Sequence, residues 1–320
     1  EATEISEKWE HIDLLIVDHY GRDAVFESAC RPSSHKIMVI DDLADRHHDC
    51  DIFLDQSPGR CADDVRPLTP ENCRLLIGSS YALIRPDYAE MRSVILARND
   101  HRTSVKHVLV SFGAADPFNL SVLALDGIQH SGIDCRVDVV LGAKAANLNE
   151  IQRLANQSAG KITVHQWVED MAVLAGRADV AIGAVGVSAL ERACLGIPSL
   201  LIVAADNQQT NAHFMGTSGA AINLGWYEQV TKEAIAEALL SGEAPLVEMD
   251  TKAARLCDGL GTRRVSMSVT PALAKNGSEI RLRPTIPDDL ETTFSWQQHP
   301  AVRRYFRNPH PPTMDLAPGH

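Results

Sequence analysis

The apolar positions of this chain fall into short runs separated by polar stretches. Residues 12–18 (Ile-Asp-Leu-Leu-Ile-Val-Asp) are apolar at nearly every position, which reads as a strand buried on both faces. Further strand-like runs stand at 36–41, 51–54, 73–77, 107–111, 137–141, 162–165, 180–183, 199–203 and 220–224. Most of the gaps carry helical patterning, at 86–98, 120–130, 147–159, 189–195, 208–218 and 232–241. Strands alternating with helices at this spacing predict parallel sheets with helical crossovers, a doubly wound α/β architecture.

The breaker-containing stretch Arg98-Asn-Asp-His-Arg-Thr-Ser104 places one domain boundary and Lys275-Asn-Gly277 a second. The expected units are a Rossmann-like domain at 1–100, another at 104–275, and a short C-terminal segment at 278–320. A doubly buried strand as early as residue 12, and a loop-like stretch from 308 onward, lead us to expect a piece of a longer protein whose first sheet lacks strands. Such a sheet would expose a strand edge near 12–18 and favour self-association.

In open α/β sheets ligands bind at loops beyond the carboxyl ends of the strands. One such loop is Gly183-Ala-Val-Gly186-Val187-Ser188-Ala-Leu-Glu191, where a strand ends in two glycines and a helix begins. Glycines admit a ligand close to the backbone, and a helix N-terminus offers unpaired N–H groups to a diphosphate. Ser188-x-x-Glu191 is equally a capping box that needs no ligand. A second loop, Ser111-Phe-Gly113-Ala114-Ala-Asp116, also follows a strand. A third holds the amides Asn207, Gln208, Gln209 and Asn211, which suit sugar hydroxyls; the same segment is also a plain helix cap through Asp206 or Asn207.

Composition narrows the ligand class. A formal net charge of −12 and a pI near 5.5 disfavour nucleic acid and anionic membranes and favour a small substrate. With no signal peptide and no apolar stretch of about 18 residues, a cytoplasmic location is expected. The seven cysteines form no C-x-x-C pair and read as buried free thiols. His47, His48 and Cys50, interleaved with Asp49 and Asp51, match no structural zinc spacing, so no metal is expected. His11, His35 and His107 stand at strand ends as ordinary surface or capping residues.

The ordered set Ser111-Phe-Gly113-Ala114, Trp167-Val168-Glu-Asp-Met171, Gly183 through Glu191 and Asp206-Asn-Gln-Gln-x-Asn-Ala212 resembles the UDP-binding half of GT-B enzymes such as the MurG glycosyltransferases. That resemblance implies two Rossmann-like domains with a cleft between them. It also implies that Gly113, Ala114, Gly183, Gly186, Val187 and Ser188 bind UDP, that Trp167 and Val168 read uracil, and that Glu191 binds the ribose hydroxyls. The amide loop would meet the sugar.

In the first third, Asp18-His19-Tyr20-Gly21, Asp41-Asp42-Leu43, His48-x-Cys50-Asp51 and Tyr81-Ala-Leu-Ile-Arg85-Pro86 resemble the PseG-type hydrolases of pseudaminic acid biosynthesis, over about residues 13–240. These cleave UDP-2,4-diacetamido-2,4,6-trideoxy-β-L-altropyranose to UDP and free sugar. The resemblance implies Tyr20 and Asn207 as catalytic residues, and Asp18, His19, Tyr81, Arg85, Gln208 and Gln209 as substrate-binding ones, with no cofactor. That family's histidine base lies in a Gly-x-Gly-His loop that these residues do not contain, so the chain as given is expected to bind UDP without turnover. A UDP-sugar glycosyltransferase and a non-catalytic nucleotide-sugar scaffold are the alternatives.

The tail, Glu279-Ile-Arg-Leu-Arg283-Pro through Leu290 and then Trp296-Gln-Gln-His-Pro300-Ala-Val-Arg303, resembles the opening strand and helix of GNAT acetyltransferases. Acetyl-CoA would be a partner only where that domain is completed. An amphipathic extension packed on the second domain is the other reading.

Overall fold

The computed structural model describes residues 2–97, 104–241, 243–270, 272–273, 277–280 and 286–299. The chain forms one compact unit over Glu1–Thr270 and a second over Pro271–His320.

In the first unit the apolar runs become two parallel sheets. One has the order β1-β2-β3-β4, made of β1 (Ile12–Val17), β2 (Ser34–Ile40), β3 (Ile52–Asp55) and β4 (Arg74–Ile77). All four residues of β3 are buried, because Phe53 packs with Ile37 and Val39 on one face while Ile52 and Leu54 pack with Met38 and Leu76 on the other. The expectation of a doubly buried first strand does not hold. Within β1 only Val17 is buried and Ile16 is 53 % exposed. Among the described residues β1 pairs with β2 alone, so it is an edge strand whose outer side lacks cover.

The other sheet has the order β10-β9-β8-β5-β6-β7. Its strands are β5 (His107–Ser111), β6 (Arg136–Val140), β7 (Ile162–His165), β8 (Val180–Ala184), β9 (Ser199–Val203) and β10 (Ile222–Trp226). The chain moves outward from β5 to β7, then crosses back to place β8 on the other side of β5. A reversal of this kind opens a crevice at the carboxyl ends of the two central strands. The loops there are the ones carrying Gly113 and Gly186.

The helices of the first half are α1 (Ala2–Lys8), α2 (Ala24–Cys30), α3 (Ala62–Val65) and α4 (Pro86–Leu96). Those of the second are α5 (Leu120–Ser131), α6 (Leu148–Gln157), α7 (Met171–Ala175), α8 (Val187–Cys194), α9 (Gln209–Thr217) and α10 (Lys232–Leu240), followed by α11 (Glu243–Leu256) and α12 (Gly261–Val269). Two helices leave their own sheet. α4 buries Tyr88 and Ile95 among Leu109, Leu190 and Cys194 of the second half, and its Arg92 donates to the carbonyls of Cys194, Ala254 and Cys257. α12 makes the return crossing: Val265 packs on Met38, Leu54 and Leu76, Thr262 Oγ1 donates to Ile84 O at 2.8 Å, and Arg264 Nη1 to Ser80 O at 2.7 Å. This exchange ties the halves together at two places.

In the second unit β11 (Ala272–Leu273) pairs antiparallel with β12 (Glu279–Ile280), and α13 (Leu290–Gln298) follows. Much of the two boundary stretches and of the acetyltransferase-like segment, at 98–103, 274–276, 281–285 and 300–320, lies outside the described residues. Among the described residues no helix is long and apolar enough to cross a membrane.

Candidate functional site

The carboxyl ends of the two sheets face a cavity of about 390 Å³. From the first half, β1 ends at Val17 and the chain turns through Asp18-His19-Tyr20-Gly21, a turn held by the Gly21 N–H donating to His19 Nδ1 at 2.9 Å. Asp23 then caps α2 by accepting from the Val25 and Phe26 amides. Tyr20 is left 57 % exposed over the cavity. From the second half, the turn Asp206–Gln208 after β9 brings Asn207 across, and its Nδ2 donates to Tyr20 Oη at 3.0 Å. Neither Asp206 nor Asn207 caps α9. The capping position is Gln208, whose Oε1 instead accepts from the Ala204 amide at 2.9 Å, while Gln209 Nε2 donates to Asp206 Oδ1.

Three carboxylates gather behind Tyr20. Asp41 is buried and paired with Arg46 at 2.6 Å, and Asp55 is paired with Arg60 at 2.7 Å. Asp42 lines the same cavity as Tyr20. Burial pushes the Asp42 carboxyl above its ordinary value; the Tyr20 hydroxyl offsets part of this and the charges of Asp55 and Asp41 add to it. Burial, and then the Asp42 charge, likewise raise the Tyr20 phenol. Asp42 Oδ1 and Asn211 Oδ1, on residues lining the same cavity, are buried with no hydrogen-bond partner.

A second cavity of about 260 Å³ opens at the ends of β5 and β8, lined by Gly113, Ala114, Trp167, Val168, Ser188 and Glu191. Gly113 has φ +85°, and at both Gly113 and Gly186 a Cβ would meet no atom within 4 Å, so each glycine faces open space. Gly183 differs: a Cβ there would run into the Ser111 carbonyl, so this glycine serves the packing of β8 on β5. The capping-box reading of Ser188 and Glu191 fails, because α8 begins at Val187 with Gly186 as its cap residue and no side-chain cap bond. Ser188 Oγ accepts from Arg192 Nη1 at 3.3 Å, and the first-turn amides have no side-chain cap, an arrangement that suits an anion. Burial raises the Glu191 carboxyl above its ordinary value, against the opposing effects of a hydrogen bond with Tyr88 and the charge of Arg192. Arg192 itself is buried, which pushes it down to about 10.

Of the residues singled out from sequence, the structure brings Asp18, Tyr20, Gly186, Val187, Asn207 and Gln208 to the first cavity. It brings Gly113, Ala114, Trp167, Val168, Ser188 and Glu191 to the second. His19, Tyr81, Arg85, Gly183 and Gln209 line neither; Arg85 pairs with Asp87 at 3.0 Å and donates to Glu169 O. Asn211, one of the amides read as suiting sugar hydroxyls, also lines the first cavity, whereas Asp42, part of the Asp41-Asp42-Leu43 motif, and Tyr88 had no role of their own in the sequence. The one further signal for Asp42 was its position just past β2. His107 is not an ordinary surface residue: its Nε2 and that of His165 flank the Asp138 carboxylate at 2.6 and 2.8 Å. His48 is turned onto Glu27 at 2.8 Å, and Cys50 Sγ lies 3.6 Å from Cys73 Sγ. All seven cysteines are free and six are buried, with Cys61 exposed.

No family model matches the chain. It is 29 % identical over 266 residues to the spore coat polysaccharide biosynthesis protein SpsG of Bacillus subtilis, covering 81 % of this chain and 76 % of that protein. It is 29 % identical over 149 residues to the UDP-2,4-diacetamido-2,4,6-trideoxy-β-L-altropyranose hydrolase of Campylobacter jejuni, covering 46 % and 51 % respectively. To an uncharacterized protein of Methanocaldococcus jannaschii it is 24 % identical over 305 residues, 92 % of this chain but 59 % of that protein. Thus the chain spans little more than half the length of two of these relatives. Among solved structures it superposes on Acinetobacter baumannii MurG with a TM-score of 0.54 at 17 % identity, covering 84 % and 76 % of the two chains. On a UDP-N-acetylglucosamine 2-epimerase the TM-score is 0.56 at 13 % identity, covering 89 % and 79 %. The fold is therefore that of the GT-B enzymes, two parallel-sheet Rossmann-like halves meeting at a cleft.

Proposed function

We propose that this chain binds a UDP-linked sugar in the cleft of an enzyme that hydrolyses it to UDP and the free sugar, the sugar being a diacetamido-trideoxy hexose of the kind named for the Campylobacter relative; without a Gly-x-Gly-His loop among these residues, the chain as given binds without turnover. The observation that carries this reading is the 3.0 Å bond from Asn207 to Tyr20, which joins two residues 187 positions apart at the mouth of the cleft. In this reading Gly113, Gly186 and the uncapped start of α8 hold the diphosphate, Trp167 and Val168 the uracil, and Glu191 the ribose. Water attacks the anomeric carbon as the bond from that carbon to the diphosphate oxygen breaks. UDP leaves with the bonding electrons, stabilised by backbone N–H groups, and the water's proton passes to a general base, the role the resemblance gives to a histidine of the Gly-x-Gly-His loop that is not among these residues. Tyr20 hydrogen-bonds the water or the sugar ring, and Asn207 with Gln208 positions the ring substituents.

The direct test incubates the purified chain with the UDP-sugar and follows UDP by chromatography, with UDP affinity measured by calorimetry in parallel. UDP binding without appreciable UDP release is the expected result. Failure to bind UDP refutes the reading, and rapid release would show that a general base lies within these residues.

A further inference from the structure

Asp42 stands apart from the acids around it. Asp41 and Asp55 are each neutralised by an arginine, whereas no ion pair reaches Asp42 among the described residues. Beside it, on the same cavity wall, the Asn207 amide donates to the Tyr20 oxygen at 3.0 Å. Asp42 Oδ1 is buried and has no hydrogen-bond partner. Asn211 Oδ1, buried and unpartnered, belongs to the same cavity. A buried acceptor without a donor carries its full desolvation penalty, and two on residues of one cavity leave it rich in acceptors and short of donors.

We propose that Asp42 is the residue that reads the sugar, accepting a hydrogen bond from a ring amide N–H or hydroxyl when the pyranose occupies this cavity, with Asn211 as a second acceptor. The ligand class that fits is a neutral, donor-bearing sugar such as an acetamido hexose. The same carboxylate repels a phosphate, so it also sets direction: the diphosphate goes to Gly186 and α8, and the uncharged ring goes to Asp42. This inference rests on the nucleotide-sugar reading given above.

Calorimetry of the wild type and Asp42→Asn with UDP and with the UDP-diacetamido sugar tests it, at a temperature and duration for which chromatography shows no UDP release. The wild type should prefer the sugar nucleotide to UDP. Asp42→Asn should bind UDP within about twofold of wild type and lose about tenfold or more of its affinity for the sugar nucleotide, the worth of a bond to a charged acceptor. Because the change removes an unpaired charge, the variant should melt no lower than wild type; Asp42→Ser gives the same readout should the asparagine variant fold poorly. A retained preference in the variant, or an equal loss for UDP, overturns the role of Asp42. So does a wild type that binds UDP and the sugar nucleotide alike. A wild type that binds neither sinks the nucleotide-sugar reading itself.

Discussion

Replacing Glu191 by glutamine separates the two roles its sequence context allowed. In a capping box the carboxylate would support the start of α8, and its loss would show as lower stability. The structure takes that role away, since α8 starts at Val187 on Gly186 and Glu191 lies within the helix. Burial raises the Glu191 carboxyl above its ordinary value of 4.5, against the opposing effects of Tyr88 and Arg192. The stability linked to such a group is full below its unfolded pKa and is lost as pH rises through the higher folded one. At neutral pH the protein is therefore less stable on account of this carboxyl than on the acid side, and Glu191→Gln should melt at the wild-type temperature or above it. Binding should move the other way. A bond from a ribose hydroxyl to a carboxylate is worth about 1.5–3 kcal/mol, so UDP affinity should fall by about 10- to 150-fold at 25 °C. Calorimetry with UDP and with 2′,3′-dideoxy-UDP, beside scanning melts, reads both quantities; the dideoxy ligand should not distinguish variant from wild type. An unchanged UDP affinity, or a loss shared by the dideoxy ligand, would refute the ribose role.

Other outcomes follow from the same geometry. In an enzyme that joins this chain to the Gly-x-Gly-His loop of the resembled family, Tyr20→Phe should lower the turnover of the UDP-sugar more than it raises KM, because the hydroxyl acts on groups whose charge changes in the transition state; steady-state kinetics showing only a higher KM would reduce Tyr20 to ground-state binding. At Asp138 burial alone would raise the carboxyl, but the bonds from His107 and His165 outweigh it and hold the group below its ordinary value. Its contribution to stability is thus present above the unfolded pKa, near 3.8, and is lost as pH falls through the folded one; Asp138→Asn should flatten that acid-side decline in a series of melts from pH 7 to pH 3. A Cβ at Gly261 would collide with the backbone of Ala82, so Gly261→Ala should destabilise the protein by about 1–3 kcal/mol in denaturant melts.

The strands were legible because buried parallel strands are written as continuous apolar runs, which is why β5, β7 and β9 fall where the pattern put them. β10 starts two residues later than expected, at Ile222, because Gly219 at φ +71° and the two alanines after it are spent on the turn out of α9. α12 was not legible. Its sequence, Gly-Thr-Arg-Arg-Val-Ser-Met-Ser-Val, is short and largely polar, and Val265 finds its partners on strands made some 200 residues earlier. At the start of α8 the local Ser-x-x-Glu signal misled, because the helix opens one residue before Ser188. Tyr20 and Asn207 came from family resemblance, as no local pattern links residues so far apart. The Asp41-Asp42 pair is visible in the sequence, but nothing in it says which of the two acids Arg46 will neutralise.

The return of α12 to the first sheet also bears on the order in which the protein is made. Arg74 donates to the carbonyl of Ser268, 194 residues further along the chain, and the face formed by Met38, Leu54 and Leu76 is closed by Val265. At a synthesis rate of about 5–20 residues per second, that face stays open for about 10–40 s after Arg74 has emerged. The half that leaves the ribosome first is therefore finished last, and during that interval chaperones and stray strand pairing compete for its apolar surface.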